Sequence, residues 1–82
     1  MFKALSHPTR LNIVTKLFKK PEGMTVTTIQ QHMGISQSSV SQHLRILKQY
    51  NILMSQRSGT QINYRLENED VEELMTLLLK LA

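Results

Sequence analysis

Residues 36–66 read SQSSVSQHLRILKQYNILMSQRSGTQINYRL, and this stretch decides the fold. Ser36 offers a side-chain oxygen to the first free amides of a helix. From Gln37 to about Tyr50, Val40, Leu44 and Leu47 recur at helical spacing and form one apolar stripe. The opposite face carries Gln37, Ser38, Ser41, Gln42, Arg45, Lys48 and Gln49. Beyond Tyr50 the period changes. Ile52 to Arg57 and Gln61 to Leu66 read as strands, the second alternating Ile62, Tyr64 and Leu66 with Gln61, Asn63 and Arg65. Ser58-Gly59-Thr60 between them is a three-residue hairpin loop, with glycine free to take positive φ.

Working back towards the N-terminus, Gly34 supplies the left-handed residue that ends a helix of about Val26 to Met33. Thr25 caps that helix, and Val26, Ile29 and Met33 point inward. Only Gly34-Ile35 separates it from Ser36, the tight glycine-containing turn of a helix-turn-helix. Pro21-Glu22-Gly23 breaks an earlier helix whose stripe is Leu11, Val14, Leu17 and Phe18. That helix starts at Ser6-His7-Pro8, where Ser6 or His7 caps and proline sits harmlessly in the first turn. Residues 2–5 read as the end of a short helix before it. After the hairpin, Asn68 caps a last helix of about Glu69 to Leu81, with early acids that suit its dipole. The expected order is α-α-α-α-β-β-α: mainly α with a β-hairpin (α+β), a winged helix-turn-helix forming one domain over residues 1–82.

Eighty-two residues bury too little surface for a generous core, so a second subunit is expected. The last helix offers the means. Val71, Leu74, Leu77, Leu78 and Leu81 make an apolar face, widened by Met75 and Leu79, that exceeds what one small domain needs. The remaining methionines, Met24, Met33 and Met54, read with Met75 as core filler. Cysteine is absent, which excludes disulfides and thiolate metal sites and is compatible with a reducing cytoplasm. No apolar run is long enough to span a bilayer and the N-terminus lacks a signal-peptide pattern, so a cytoplasmic protein without a membrane partner is expected.

Charge is divided unevenly. Residues 1–66 hold every cationic side chain except Lys80 and a single acid, Glu22, whereas residues 67–82 hold the other five acids. A basic body with an acidic final segment suits a polyanion on one side only. Charge leaves DNA and RNA both open, few aromatics and no tryptophan argue against stacking on single strands, and the helix-turn-helix spacing makes double-stranded DNA the expected partner. The helix face after Ser36 has matching chemistry. Glutamine bonds adenine N6 and N7, arginine bonds guanine O6 and N7, and serine serves bases or phosphates. The first turns of such a helix enter the major groove, which favours Gln37, Ser38, Ser41 and Gln42, followed by Arg45. Arg57 flanks the wing tip and is the better phosphate contact of the two strand arginines; Arg65 is read as solvated.

Three blocks carry a family resemblance: Lys3-Ala4-Leu5-Ser6-His7-Pro8-Thr9-Arg10-Leu11, Ser36 to Leu47, and the wing ending Tyr64-Arg65-Leu66. Together they resemble the ArsR/SmtB family of bacterial transcriptional repressors. The resemblance implies a homodimer formed by the first and last helices, with two recognition helices in successive major grooves of an imperfect palindrome. It also implies repression by occupying a promoter, relieved by an inducer that these residues do not identify. Leu74, Leu77, Leu78 and Leu81 then belong to the dimer interface.

Departures from the family narrow the reading. Metal sensors of the family often carry Cys-x-Cys on the helix before the turn, and here that helix is VTTIQQHM. A second family site uses histidine and carboxylates on the last helix, which here has no histidine. His7, His32 and His43 lack ligand spacing, so no metal and no cofactor are expected. His43 lies beside the buried stripe by helical phase and reads as helix packing or a phosphate contact. The first helix is short relative to the family, starting at Met1-Phe2. No serine–histidine–acid set, phosphate loop or carboxylate pair suggests an enzyme; the adjacent Ser6 and His7 cap a helix. Two alternatives to a metal-independent repressor remain: a metal-responsive repressor with a non-cysteine site, and a winged helix that docks a protein. The second would expose aromatic or aliphatic anchors where this chain exposes serine and glutamine.

Overall fold

Capping, glycine placement and helical stripes take effect where the sequence puts them. The computed structural model describes residues 2–81, so Met1, where the first helix was expected to begin, lies outside the described residues. The elements are α1 (Phe2–Leu5), α2 (Pro8–Phe18), β1 (Met24–Thr25), α3 (Val26–Met33), α4 (Gln37–Gln49), β2 (Leu53–Ser58), β3 (Gln61–Leu66) and α5 (Glu69–Leu81). His7, not Ser6, caps α2: its Nδ1 accepts from the Thr9 amide at 3.2 Å, while the Ser6 hydroxyl donates back to the Lys3 carbonyl. Thr25 and Ser36 accept from the amides three residues on and start α3 and α4. Gly34 ends α3 at φ +67°.

α4 ends without a glycine. Asn51 takes φ +58°, and the amides of Asn51 and Ile52 donate to the carbonyls of Lys48 and Leu47. That is a Schellman closure on asparagine, one of the few side chains that tolerate the left-handed region. The Asn68 amide group then donates to the Asn51 carbonyl at 3.1 Å while its oxygen accepts from the Val71 amide. One residue thereby caps α5 and anchors it to the end of α4.

Three features correct the expectation. The sheet has three strands in the order β1-β3-β2, not two, because Met24 and Thr25 pair antiparallel with Tyr64 and Asn63. Two residues are too few to show a period, and the neighbouring Pro-Glu-Gly signals only a break. Ser58 pairs with Gln61, so the wing loop is Gly59-Thr60 alone, with Gly59 at φ +62° as the first position of a type II′ turn requires. Met54 is 40% exposed rather than core filler, because strand alternation turns it away from the side that buries Leu53. Gly23 enables the extra strand. Its φ is +89°, and a Cβ there would lie 2.6 Å from the Tyr64 carbonyl oxygen and overlap the Asn63 amide.

The core gathers Ile13, Val14 and Leu17 from α2, Ile29 from α3, and Val40, Leu44 and Leu47 from α4. Ile52, Leu53, Val71 and Met75 close it, and no described polar side chain is buried inside.

Candidate nucleic-acid interface

Because Val40, Leu44 and Leu47 are fully buried, the opposite face of α4 is turned to solvent. Gln37, Ser38, Gln42 and Arg45 are exposed and Ser41 is half-buried. Ser38 lies 3.2 Å from the Ser36 hydroxyl, within hydrogen-bond reach. Lys48, further along this face, is committed elsewhere: its Nζ donates to the Ser55 hydroxyl at 2.7 Å and ties α4 to β2. That bond links helix and wing.

In the wing, Arg57 is exposed beside the turn and makes no ion pair among the described residues; the same is true of Arg45 on α4. Arg65 is engaged instead. It pairs with Glu67 at 3.4 Å and donates to the Met54 sulfur at 3.2 Å, which holds it on the outer face of the hairpin rather than at the tip.

Gln37 and Ser41 meet the wing across an open crevice of about 290 Å³. Its other walls are Thr25, Val26 and Thr27 at the start of α3, and Thr60, Gln61, Ile62 and Tyr64 of the hairpin. Ser38, Gln42, Arg45 and Arg57 lie outside that lining. Sequence reasoning overlooked Thr27 and Tyr64. In the sequence Tyr64 stands out as an alternating apolar residue of its strand and as part of the wing block, not as a contact; its hydroxyl is the available signal.

His43 sits on the inner flank of α4, its ring centroid 4.7 Å from that of His7 and tilted by 54°. Its Nδ1 is buried without a hydrogen-bond partner. Burial, then the neighbouring His7 and Arg10, lower its pKa below the usual histidine value. Among the described residues no three histidine, aspartate or glutamate side chains assemble into a metal-binding group. No described helix is long and apolar enough to cross a membrane.

A helix-turn-helix with a polar recognition face, followed by a hairpin with an unpaired arginine at its tip, defines a winged-helix DNA-binding protein. A family model described as a helix-turn-helix domain matches residues 5–56. The transcriptional repressor SdpR of Bacillus subtilis is 38% identical over 79 residues, covering 96% of this chain and 86% of SdpR. The crystal structure of the transcriptional repressor PagR of Bacillus anthracis superposes with a TM-score of 0.84 at 39% identity, covering 94% of this chain and 86% of that one. That of BigR, a transcriptional repressor from Xylella fastidiosa, gives 0.88 at 34% identity, covering 98% and 80%. The chain belongs to the ArsR/SmtB-type winged helix-turn-helix transcriptional regulators; it is a DNA-binding regulator and not an enzyme.

Proposed function

We propose that this regulator is a homodimeric repressor that occupies an imperfect palindrome in a promoter and works without a metal. The observation that carries the reading is the arrangement of α4. An exposed Ser/Gln surface at its N-terminal turns adjoins the wing, and two unpaired cations, Arg45 and Arg57, flank it. Gln37, Ser38, Ser41 and Gln42 meet base edges, Arg45 follows them along the groove, and Arg57 rests on a phosphate.

Dimerisation supplies the second recognition helix, in a major groove about 34 Å away along the duplex. Leu77, Leu78 and Leu81 are 60%, 41% and 86% exposed, and they extend the face that Val71, Leu74 and Met75 begin. A contiguous apolar patch of this kind marks an association surface. Leu74 is half-buried against the chain's own core and serves both purposes. The lack of thiolates and of recognisable histidine ligand spacing in the sequence supports a metal-independent reading.

Fluorescence anisotropy tests this with a duplex selected from a random pool and a scrambled control, across a salt series with and without zinc and chelator. Gln42→Ala removes about 1–3 kcal/mol of discrimination between the two duplexes. Arg57→Ala weakens both duplexes alike and lowers the salt slope by about one. Equal losses on both duplexes for Gln42→Ala, or binding that zinc switches, overturns the corresponding part of the reading.

A further inference from the structure

The crevice between α3, α4 and the wing is lined entirely by uncharged groups, although the chain is basic and Arg45 and Arg57 stand on the helix and strand that flank it. The polar residues of its lining carry hydroxyls and amides: Thr25, Thr27, Ser41, Thr60 and Tyr64 contribute the former, Gln37 and Gln61 the latter among side chains. Thr25 is already committed to capping α3 through the Thr28 amide. Thr27 is exposed, and neither its hydroxyl nor that of Tyr64 makes a hydrogen bond among the described residues. Tyr64 is half-buried and is brought to the start of α3 by the pairing of Met24 with Tyr64. The small strand β1 therefore builds this crevice.

We propose that the crevice seats one phosphate of the DNA backbone, with the Tyr64 and Thr27 hydroxyls donating to its oxygens as positioning residues. The proposal rests on α4 lying in the major groove. Gln37 and Ser41 occupy one wall, so a backbone passing through the crevice runs alongside the helix that reads the bases. The space exceeds one phosphate and admits the adjoining sugar. The start of α3 faces the same space, and its dipole favours an anion there. Neutral donors suit a phosphate that must be placed rather than merely attracted. Hydroxyls bond only at hydrogen-bond distance, whereas a lysine attracts from several positions. The contact sets how deeply the first turn of α4 enters the groove.

Charge provides the test. A neutral donor releases no condensed counterion beyond those displaced by cations, so its loss lowers affinity without altering the salt slope. Tyr64→Phe and Thr27→Val are each compared with wild type by anisotropy, on the pool-selected duplex and on its scrambled control. Each variant is expected to lose roughly 10–150-fold on both duplexes, as one hydrogen bond to a charged group implies, with an unchanged slope. A set of duplexes carrying one methylphosphonate at each position in turn then locates the contact. One substitution should weaken wild type and leave Tyr64→Phe almost unaffected. Affinity within twofold of wild type for both variants overturns the proposal, as does a methylphosphonate profile shared by Tyr64→Phe and wild type. Thr27→Val alters an exposed side chain and keeps the test open should Tyr64→Phe disturb the sheet. Gln42→Ala in the same series reports separately on whether α4 reads bases, so the parent reading fails on its own evidence.

Discussion

α4 and α5 are both thirteen-residue amphipathic helices, yet their apolar faces meet different fates. In α4, Val40, Leu44 and Leu47 are completely buried among α2, α3 and β2, and what remains exposed is serine, glutamine, arginine and lysine. In α5 only Val71 and Met75 are fully covered, while Leu77, Leu78, Leu79 and Leu81 stay exposed along the second half. The comparison teaches that one pattern serves two purposes. Where the domain encloses a stripe, the opposite face is free to carry chemistry. Where the domain runs out, the stripe stays exposed, and that exposure is the ground for proposing it as the subunit contact.

The largest effect that separates the two helices is expected from truncating their leucines. Leu44→Ala costs about 2–5 kcal/mol in urea unfolding, because a fully enclosed side chain leaves a cavity. Leu78→Ala, measured at a concentration low enough to separate subunits, stays within about 1 kcal/mol of wild type. Comparable losses at both sites would mean that α5 is as enclosed as α4.

Leu78→Glu sharpens the contrast from the other side. It places a charge in the exposed leucine face and is expected to shift the sedimentation profile from dimer to monomer while far-UV circular dichroism is unchanged. A variant that still sediments as wild type would leave the leucine face without its assigned role.

Gly23→Ala probes the junction beside the recognition helix. Its Cβ meets the Tyr64 carbonyl, and its φ is in the left-handed region, so a loss of about 1–3 kcal/mol is expected from backbone strain alone. DNA affinity should fall further than stability accounts for, since β1 carries the wall of the crevice. Loss of stability with full affinity would separate β1 from binding.

The smallest effect concerns the inner flank of α4. Folding holds the His43 pKa below its ordinary value of 6.5 through burial, His7 and Arg10, so the unfolded chain binds more protons in acid. Stability is therefore undiminished above about pH 6.5 and declines as pH falls through that value towards the folded pKa. Urea midpoints at pH 7.5 and 5.0 measure the decline, and His43→Gln should reduce it. An identical decline in that variant would assign the effect to other groups.

Local signals made most of the fold legible. Thr25, Ser36 and Asn68 each begin the helix their side chains can cap, Gly34 ends one, and the stripes of α2 and α4 point where their spacing puts them, because these are interactions over three or four residues. The polar identity of the α4 face was equally plain, since residues that add little to helix stability stand where a groove would lie. The sequence by itself determined the winged helix-turn-helix, the uneven charge and the surplus leucines of α5. Tertiary structure alone decided the rest. β1 exists only because a two-residue segment meets Tyr64 and Asn63 some forty positions later, and no local period announces such a pairing. It also decided that Lys48 is spent on Ser55, that Arg65 reaches across the hairpin to the Met54 sulfur, and that Tyr64 stands at the mouth of α3. Each of these depends on distance across the fold, which residue order does not encode locally.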